Sequence, residues 1–444
     1  MTVSRTICLG FLTVIAFGTL LLMLPISTAE GIWNDPITAL FTATSAVCVT
    51  GLIVVDTGTY HSLFGEVVIL LLIQVGGLGY MTATTFLLIL LGRRFGLREK
   101  IAIQKSLDIP GLSSAVQLVR SIIAMTLIFE ITGILCLMPI FAADFGPIYG
   151  LWLSIFHSVS AFNNAGFSLF EDSLTRYNTS LPMNLIIPAL VILGGIGYQV
   201  IMEVYLWLSD RLLNKPERID FSLNFKIATS TTVLLLVLGT IAFLSAEYRS
   251  LEVFGEFSFG EKLMVAWFHS VMPRTAGFNS IDYGQLPTVT LLITIALMYV
   301  GGSPGSTAGG IKTTTFRILF SSTKSALQGK EEVLCYQRQI PIILIMKAVG
   351  VVFGSGMTVI GVTTLISITD PDIEFIRVMF ETVSAFATVG LSTGITASLS
   401  AAGKVAIIAS MYAGRVGILL LMSAIYGDPK PSVINYPEEN LLVG

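Results

Sequence analysis

A glycine closing a short, phenylalanine-led string recurs four times in this sequence. The strings run from Phe41 to Leu52 (FTATSAVCVTGL), Phe156 to Phe167 (FHSVSAFNNAGF), Phe268 to Phe278 (FHSVMPRTAGF) and Phe380 to Leu391 (FETVSAFATVGL). The glycines Gly51, Gly166, Gly277 and Gly390 are separated by 115, 111 and 113 residues. Val49 and Thr50, Asn164 and Ala165, Thr275 and Ala276, and Thr388 and Val389 precede them. Successive carbonyl oxygens that face one way need backbone conformations unfavourable for most residues, and glycine reaches them without a Cβ penalty. Rings of such oxygens replace the water around a dehydrated monovalent cation. One such string would serve close helix packing equally well. Four copies at near-constant spacing point to cation coordination.

A second glycine-rich stretch, GGSPGSTAGGIKTTT, spans Gly301 to Thr315. Glycine costs about 1 kcal/mol and proline about 3 kcal/mol in a helix interior. Gly301, Gly302, Pro304, Gly305, Gly309 and Gly310 together therefore predict a loop where the flanking apolar residues predict a span. A loop at membrane depth must be buried or line water, so this one is a candidate gate below the third string. It is no phosphate-binding loop, because Ile311 separates Gly310 from Lys312 where that motif joins glycine directly to lysine. Arg415 lies inside another apolar run and should face a cavity or a partner. Glu130 and Glu203 fit interhelical hydrogen bonding, and His157 and His269, beside Ser158 and Ser270, fit packing and hydrogen bonding better than metal binding. With His61 these are the three histidines of the chain. Without clustered carboxylates they offer no catalytic constellation, so an enzyme is not expected.

The elements that must hold these groups are membrane spans. The 444 residues are 54% hydrophobic and 12% charged, with a mean hydropathy of +0.83. Soluble domains carry roughly 25% charged residues, so a soluble fold could not cover itself. Disorder requires the opposite composition. A net charge of −3 leaves no basic footprint for nucleic acid. Cys8, Cys48, Cys136 and Cys335 show no paired spacing that would suggest disulfides or zinc.

Apolar stretches near 5–25, 65–92, 117–142, 182–208, 225–246, 287–321, 341–368 and 402–426 read as eight spans, each long enough to cross a ~30 Å core. The first is too long for a signal-peptide core and lacks a small-residue cleavage site. Arg93, Arg94, Arg98, Lys100, Lys105, Arg211, Lys215, Arg218, Lys226, Lys324, Lys330 and Arg338 fall on one set of connections, and mostly acidic residues fall on the other. Both termini and the basic loops are therefore expected in the cytoplasm. Each glycine string lies between two spans, too short to cross.

Two crossings per unit return the chain to its starting side, so all units share one orientation. Inverted repeats of rocking carriers would need an odd number. The expected fold is thus an all-α integral membrane protein with four parallel span–pore-loop–span repeats around a pseudo-fourfold ion pore. The repeats divide at residues 1–105, 106–218, 219–335 and 336–444, the last including a cytoplasmic tail.

These motifs and this arrangement resemble the potassium transporter superfamily comprising Trk, Ktr and the plant high-affinity potassium transporters, most specifically its Ktr-type membrane subunits. The resemblance covers essentially the whole chain, including the terminal YPEENLLVG, and implies that no extra helix pair leads the first repeat. It implies potassium uptake across the cell membrane (the inner membrane where there are two), often sodium-dependent, by a homodimer under a cytoplasmic nucleotide-binding regulatory ring. Potassium is then the substrate, sodium an activating ion, and no covalent cofactor is expected. Each strand here has a single glycine, whereas the potassium-channel filter TVGYG has two. Fewer carbonyl rings would align strictly, so a weaker potassium preference is expected, with a weakly selective potassium/sodium conduit as the alternative.

Overall fold

The computed structural model describes residues 3–79, 115–213, 220–248, 254–255 and 257–427. The second half of the predicted span 65–92, the basic cluster from Arg93 to Lys105, Lys215, Arg218 and the tail beyond residue 427 lie outside the described residues. The described chain is helical apart from loops and one small antiparallel hairpin, which pairs Leu334–Cys335 with Arg338–Gln339.

Four long apolar helices begin the four repeats: Val3–Met23, Ala115–Phe145, Leu223–Glu247 and Ile342–Thr369. Each is long enough and apolar enough to cross a membrane. Ile342 and Ile343 on the last, with Met346, Phe353, Met357 and Ile360, stand exposed, as expected of side chains facing lipid or another apolar surface. These are the outer helices.

Four short helices follow them: Pro36–Val47, Pro147–Phe162, Phe259–Val271 and Phe375–Phe386. Their starts are written locally. Pro36 and Pro147 take first-turn positions where the missing N–H costs nothing. Asp35 accepts from the Thr38 N–H at 3.0 Å, and Ser258 with Glu261 closes a reciprocal capping box. Their C-terminal halves form the centre of the molecule, with every residue buried from Phe41 to Val47, Phe156 to Phe162, Phe268 to Val271 and Phe380 to Phe386. The predicted short helices are all present.

The inner helices that complete each repeat are Leu63–Leu78, Leu181–Gly195, Thr288–Tyr299 and Ala401–Val416. Here two sequence expectations are corrected. The stretch 182–208 is not one span, because the chain turns by 102° between Leu181–Gly195 and Tyr198–Leu212. The stretch 402–426 likewise turns by 94° between Ala401–Val416 and Ile418–Tyr426. Gly197 (φ +99°) and Gly417 (φ +83°) sit at the two corners, in backbone that other residues resist. The third inner helix ends at Tyr299 and resumes only at Thr313, which agrees with the predicted interruption.

Repeats one and four meet to close the ring. The Ser4 and Ser423 hydroxyls are 3.0 Å apart, Arg5 Nε donates to the Ala424 carbonyl at 2.7 Å, and the Tyr412 hydroxyl donates to the Cys8 carbonyl at 2.9 Å.

Candidate cation pathway

The strand after each short helix adopts the same unusual backbone. Val49, Asn164, Thr275 and Thr388 have φ of +56°, +58°, +69° and +52°, and the glycines two residues later have φ of +88°, +70°, +75° and +96°. Thr50, Ala165, Ala276 and Val389 between them do not. Two left-handed residues flanking one that is not turn successive peptide planes, the kind of backbone that can bring successive carbonyls to one side. Positive φ is an outlier for β-branched side chains, and such strain persists only where the surroundings over-determine it. The sequence reading assigned the special conformation to one glycine per strand. The structure has two left-handed residues per strand, and the first is never glycine.

The four glycines form a closed ring. A Cβ on Gly51 would stand 2.4 Å from the Ala165 carbonyl oxygen, and one on Gly166 would stand 2.7 Å from that of Ala276. From Gly277 the distance is 2.5 Å to Val389, and from Gly390 it is 2.1 Å to Thr50. Each strand therefore abuts the next, in repeat order, with no room for a side chain. Ser45 and Ser384 hydroxyls accept from the Gly51 and Gly390 N–H groups at 3.1 Å each, and Ser160 donates to the Phe167 carbonyl at 2.7 Å. All four glycines open onto one cavity of about 500 Å³, also lined by Asp56, Glu171, Asp172 and Asp282. Acidic walls concentrate cations at such a mouth.

The predicted loop lies against these strands. Gly301 N–H donates to the Ile311 carbonyl at 2.9 Å and Thr313 N–H to that of Gly302 at 3.1 Å, which closes its base. Ser303 and Thr307 N–H groups donate to the Gly195 and Gly194 carbonyls at 2.9 and 3.2 Å, where the second inner helix breaks. The Thr307 hydroxyl lies 3.2 Å from the Phe162 carbonyl and 3.1 Å from the Asn164 amide. A Cβ on Gly309 would meet Thr388 Oγ1 at 2.1 Å, one on Gly301 would meet Thr275 Cγ2 at 3.2 Å, and one on Gly310 would meet the Ala387 carbonyl at 3.2 Å. Gly302 approaches Ala308 as closely, while Gly305 (φ +67°) has open space around it. The loop thus contacts the strands of repeats two, three and four.

Arg415 reaches the same loop. One guanidinium nitrogen donates to the Thr307 carbonyl, and the other donates to the Gly76 carbonyl and, at 3.4 Å, to that of Gly77. Its expected partner is therefore a set of carbonyls on the loop and on the first inner helix. Lys312 folds back, donating to the Ala308 carbonyl at 2.7 Å.

Glu130 accepts from the Asn163 amide at 2.9 Å. Glu203 accepts from the Ser222 N–H and hydroxyl at 3.0 and 2.7 Å. Both are hydrogen-bond partners between helices. Ser158 and Ser270 donate to the Glu130 and Leu236 carbonyls at 2.7 and 2.6 Å. His157 and His269 are likewise engaged in hydrogen bonds, whereas His61 lies apart, 3.3 Å from the Ser27 carbonyl.

Two residues were not singled out from the sequence. Arg274, 7% exposed, donates to the Thr232 and Gly301 carbonyls at 3.3 and 3.0 Å. Its position just ahead of the third strand was the available signal. Glu381 is buried behind the fourth strand and accepts from Ser392 at 2.7 Å. Its alignment with His157 and His269 in the four strings was the available signal.

A family model described as TrkH, cation transport protein, matches residues 9–428. The chain is 38% identical over 444 residues to the Ktr system potassium uptake protein B of Bacillus subtilis, covering all of this chain and 97% of the relative. It is 38% identical to the protein of the same name from Vibrio alginolyticus, covering 99% and 94%. It is 37% identical to the potassium/sodium uptake protein NtpJ of Enterococcus hirae, covering 99% and 97%. The crystal structure of the potassium transporter TrkH from Vibrio parahaemolyticus superposes with a TM-score of 0.70 at 18% identity, over 94% of this chain and 85% of that one.

Proposed function

This chain belongs to the TrkH cation transport protein family, and we propose that it takes potassium into the cell through the ring formed by its four glycine strands. The observation that carries this reading is the cyclic approach of each glycine to the carbonyl of the next strand, from Gly51 around to Gly390. Carbonyl oxygens from Val49, Thr50 and Gly51, from Asn164, Ala165 and Gly166, from Thr275, Ala276 and Gly277, and from Thr388, Val389 and Gly390 then form the selectivity filter. The relatives' names speak for uptake, two of potassium and one of potassium or sodium, and the weakly selective conduit is set aside. No covalent cofactor is required. Potassium is substrate, and sodium serves as an activating ion.

Gly301, Gly302, Gly305, Gly309, Gly310, Lys312 and Arg415 make up the gate. The loop's contacts with three of the four strands and its attachment to Arg415 support this role. The transporter works as a homodimer in the cell (inner) membrane, with both termini in the cytoplasm and a cytoplasmic nucleotide-binding ring acting on the gate. The acidic cavity at the glycine end of the filter supports an outward-facing mouth, and the exposed apolar face of Ile342–Thr369 supports a second subunit or lipid beside it.

Uptake of potassium, rubidium and sodium into liposomes by the purified protein tests the reading. Wild type should take up potassium and rubidium in preference to sodium, and Gly277→Ser should lose potassium affinity more than sodium affinity. Equal uptake of all three ions by wild type would overturn it.

A further inference from the structure

The filter strands are tied to the short helices behind them at one repeated position, and only three of the four repeats have the tie. The residue after the leading phenylalanine is Thr42, His157, His269 and Glu381 in turn. His157 Nε2 lies 3.0 Å from the Ser168 hydroxyl, His269 Nε2 lies 3.0 Å from the Ser280 hydroxyl, and the Ser392 hydroxyl donates to Glu381 at 2.7 Å. In all three pairs the partners are 11 residues apart. The third string is one residue shorter than the others before its glycine. One extra residue after Gly277 restores the spacing, so Ser280 stands three residues past its glycine where Ser168 and Ser392 stand two past theirs.

The direction of the hydrogen bond follows from the neighbours. His157 Nδ1 lies 2.8 Å from the Leu153 carbonyl, which can only accept, so Nδ1 carries the proton and Nε2 accepts from Ser168. The Ser168 oxygen in turn accepts from the Phe170 N–H at 3.0 Å. Ser392 repeats the pattern, donating to Glu381 and accepting from the Gly394 N–H at 2.9 Å. Ser168 and Ser392 thus lock the turn that follows the filter and fasten it to the short helix, and Ser280 makes the same contact to its short helix through His269. All six side chains are buried except Ser392, which is half-buried. In repeat one the residue 11 positions after Thr42 is Ile53, which has no polar atom to offer.

We infer that His157, His269 and Glu381 are positioning residues that set ion preference by holding the outer ends of three filter strands through Ser168, Ser280 and Ser392, and that the first strand is left unfastened at this point. Nothing in these side chains touches the cation. They act on the angle at which the glycine carbonyls face it. This rests on the filter reading above.

The test is sodium competition against rubidium uptake in liposomes, for the full-length protein carrying Ser168→Ala, Ser280→Ala or Ser392→Ala. Each change removes one oxygen and keeps the backbone. A net hydrogen bond is worth roughly 1 kcal/mol, so the potassium-over-sodium ratio should fall about two- to tenfold in each variant. Ser168→Thr and Ser392→Thr keep the hydroxyl and should restore the ratio. Glu381→Gln keeps an accepting oxygen and should exceed Glu381→Leu. Ile53→Ala has no tie to lose and should match wild type. A ratio equal to wild type in the three alanine variants overturns the inference, as does a lowered ratio that threonine fails to restore. If an alanine variant does not fold, the Glu381→Gln and Glu381→Leu pair decides, and equal ratios in that pair count against the tie. If wild type itself shows no preference for potassium, the filter reading fails rather than the tie.

Discussion

Arg415 binds Thr307 through its carbonyl, and the other side of the same guanidinium binds the carbonyls of Gly76 and Gly77. One side chain therefore joins the interrupting loop of repeat three to the inner helix of repeat one, from its own place at the bend in repeat four. A positive charge about 5 Å from a cation's path opposes passage by roughly 3 kcal/mol at an effective dielectric near 20, on the order of a hundredfold in rate. Removing it should open the path.

Arg415→Gln should therefore raise maximal rubidium flux in liposomes by about ten- to a hundredfold, with a smaller change in half-saturation. Arg415→Lys separates charge from geometry. A lysine ammonium is a compact point charge and lacks the planar fork that spans two acceptor groups. Since Lys keeps the charge but loses the bridge between two elements, its flux should fall between wild type and Gln. Flux equal to wild type in both variants would leave Arg415 as an anchor alone.

Deleting Gly305 to Gly309 removes Thr307, and with it the contacts to Gly194, Phe162 and Arg415. On the proposed function, flux should rise several-fold while the potassium-over-sodium ratio changes little, because the four strand glycines remain. Stopped-flow flux on the purified protein in liposomes checks this, and a deletion protein that folds but transports no faster would make the segment a spacer.

The four glycines should not be equally sensitive to alanine. The added Cβ would stand 2.1 Å from a backbone oxygen at Gly390 and 2.7 Å at Gly166, and backbone cannot swing aside as a flexible side chain can. Loss of potassium affinity should be greatest for Gly390→Ala and least for Gly166→Ala. Rubidium half-saturation across the series measures the order.

Arg274 fastens the first residue of the loop, Gly301, to the outer helix carbonyl of Thr232. Arg274→Met keeps much of the length and removes both hydrogen bonds. Hydrogen bonds to charged groups are worth about 2 kcal/mol each, so thermal unfolding in detergent should fall by several degrees.

Outside the spans, Asp370 Oδ1 accepts from the Ser400 N–H at 2.7 Å, and Oδ2 accepts from the Ser400 and Thr369 hydroxyls at 2.9 and 2.7 Å. Burial alone would raise its pKa, but these hydrogen bonds and nearby Lys404 outweigh it and hold the carboxyl below its ordinary value. Its contribution is fully present above the unfolded pKa of about 4 and is lost as pH falls through the lower folded value. Asp370→Asn should lessen the loss of thermal stability below about pH 4, read from melting curves across pH 3 to 6.

Membrane insertion, four units in one orientation, the glycine strings and the interrupting loop were all legible in the sequence. They depend on composition and on local backbone cost. Few charges cannot cover a soluble surface, and glycine and proline at Gly301–Gly310 disfavour helix wherever they are placed. Tertiary structure decided which carbonyls meet which groups. The bends at Gly197 and Gly417 look like continuous apolar spans in sequence, because one glycine is cheap and only the packing of the next segment shows that the chain has turned. Positive φ at Val49, Asn164, Thr275 and Thr388 runs against local preference and exists because neighbouring strands hold it. Arg415 was legible as a buried charge in need of a partner, but Thr307 and Gly76 lie 108 and 339 residues away. Only closure of the ring brings them within reach, because hydrogen bonds act over a few ångströms of space and carry no trace of separation along the chain.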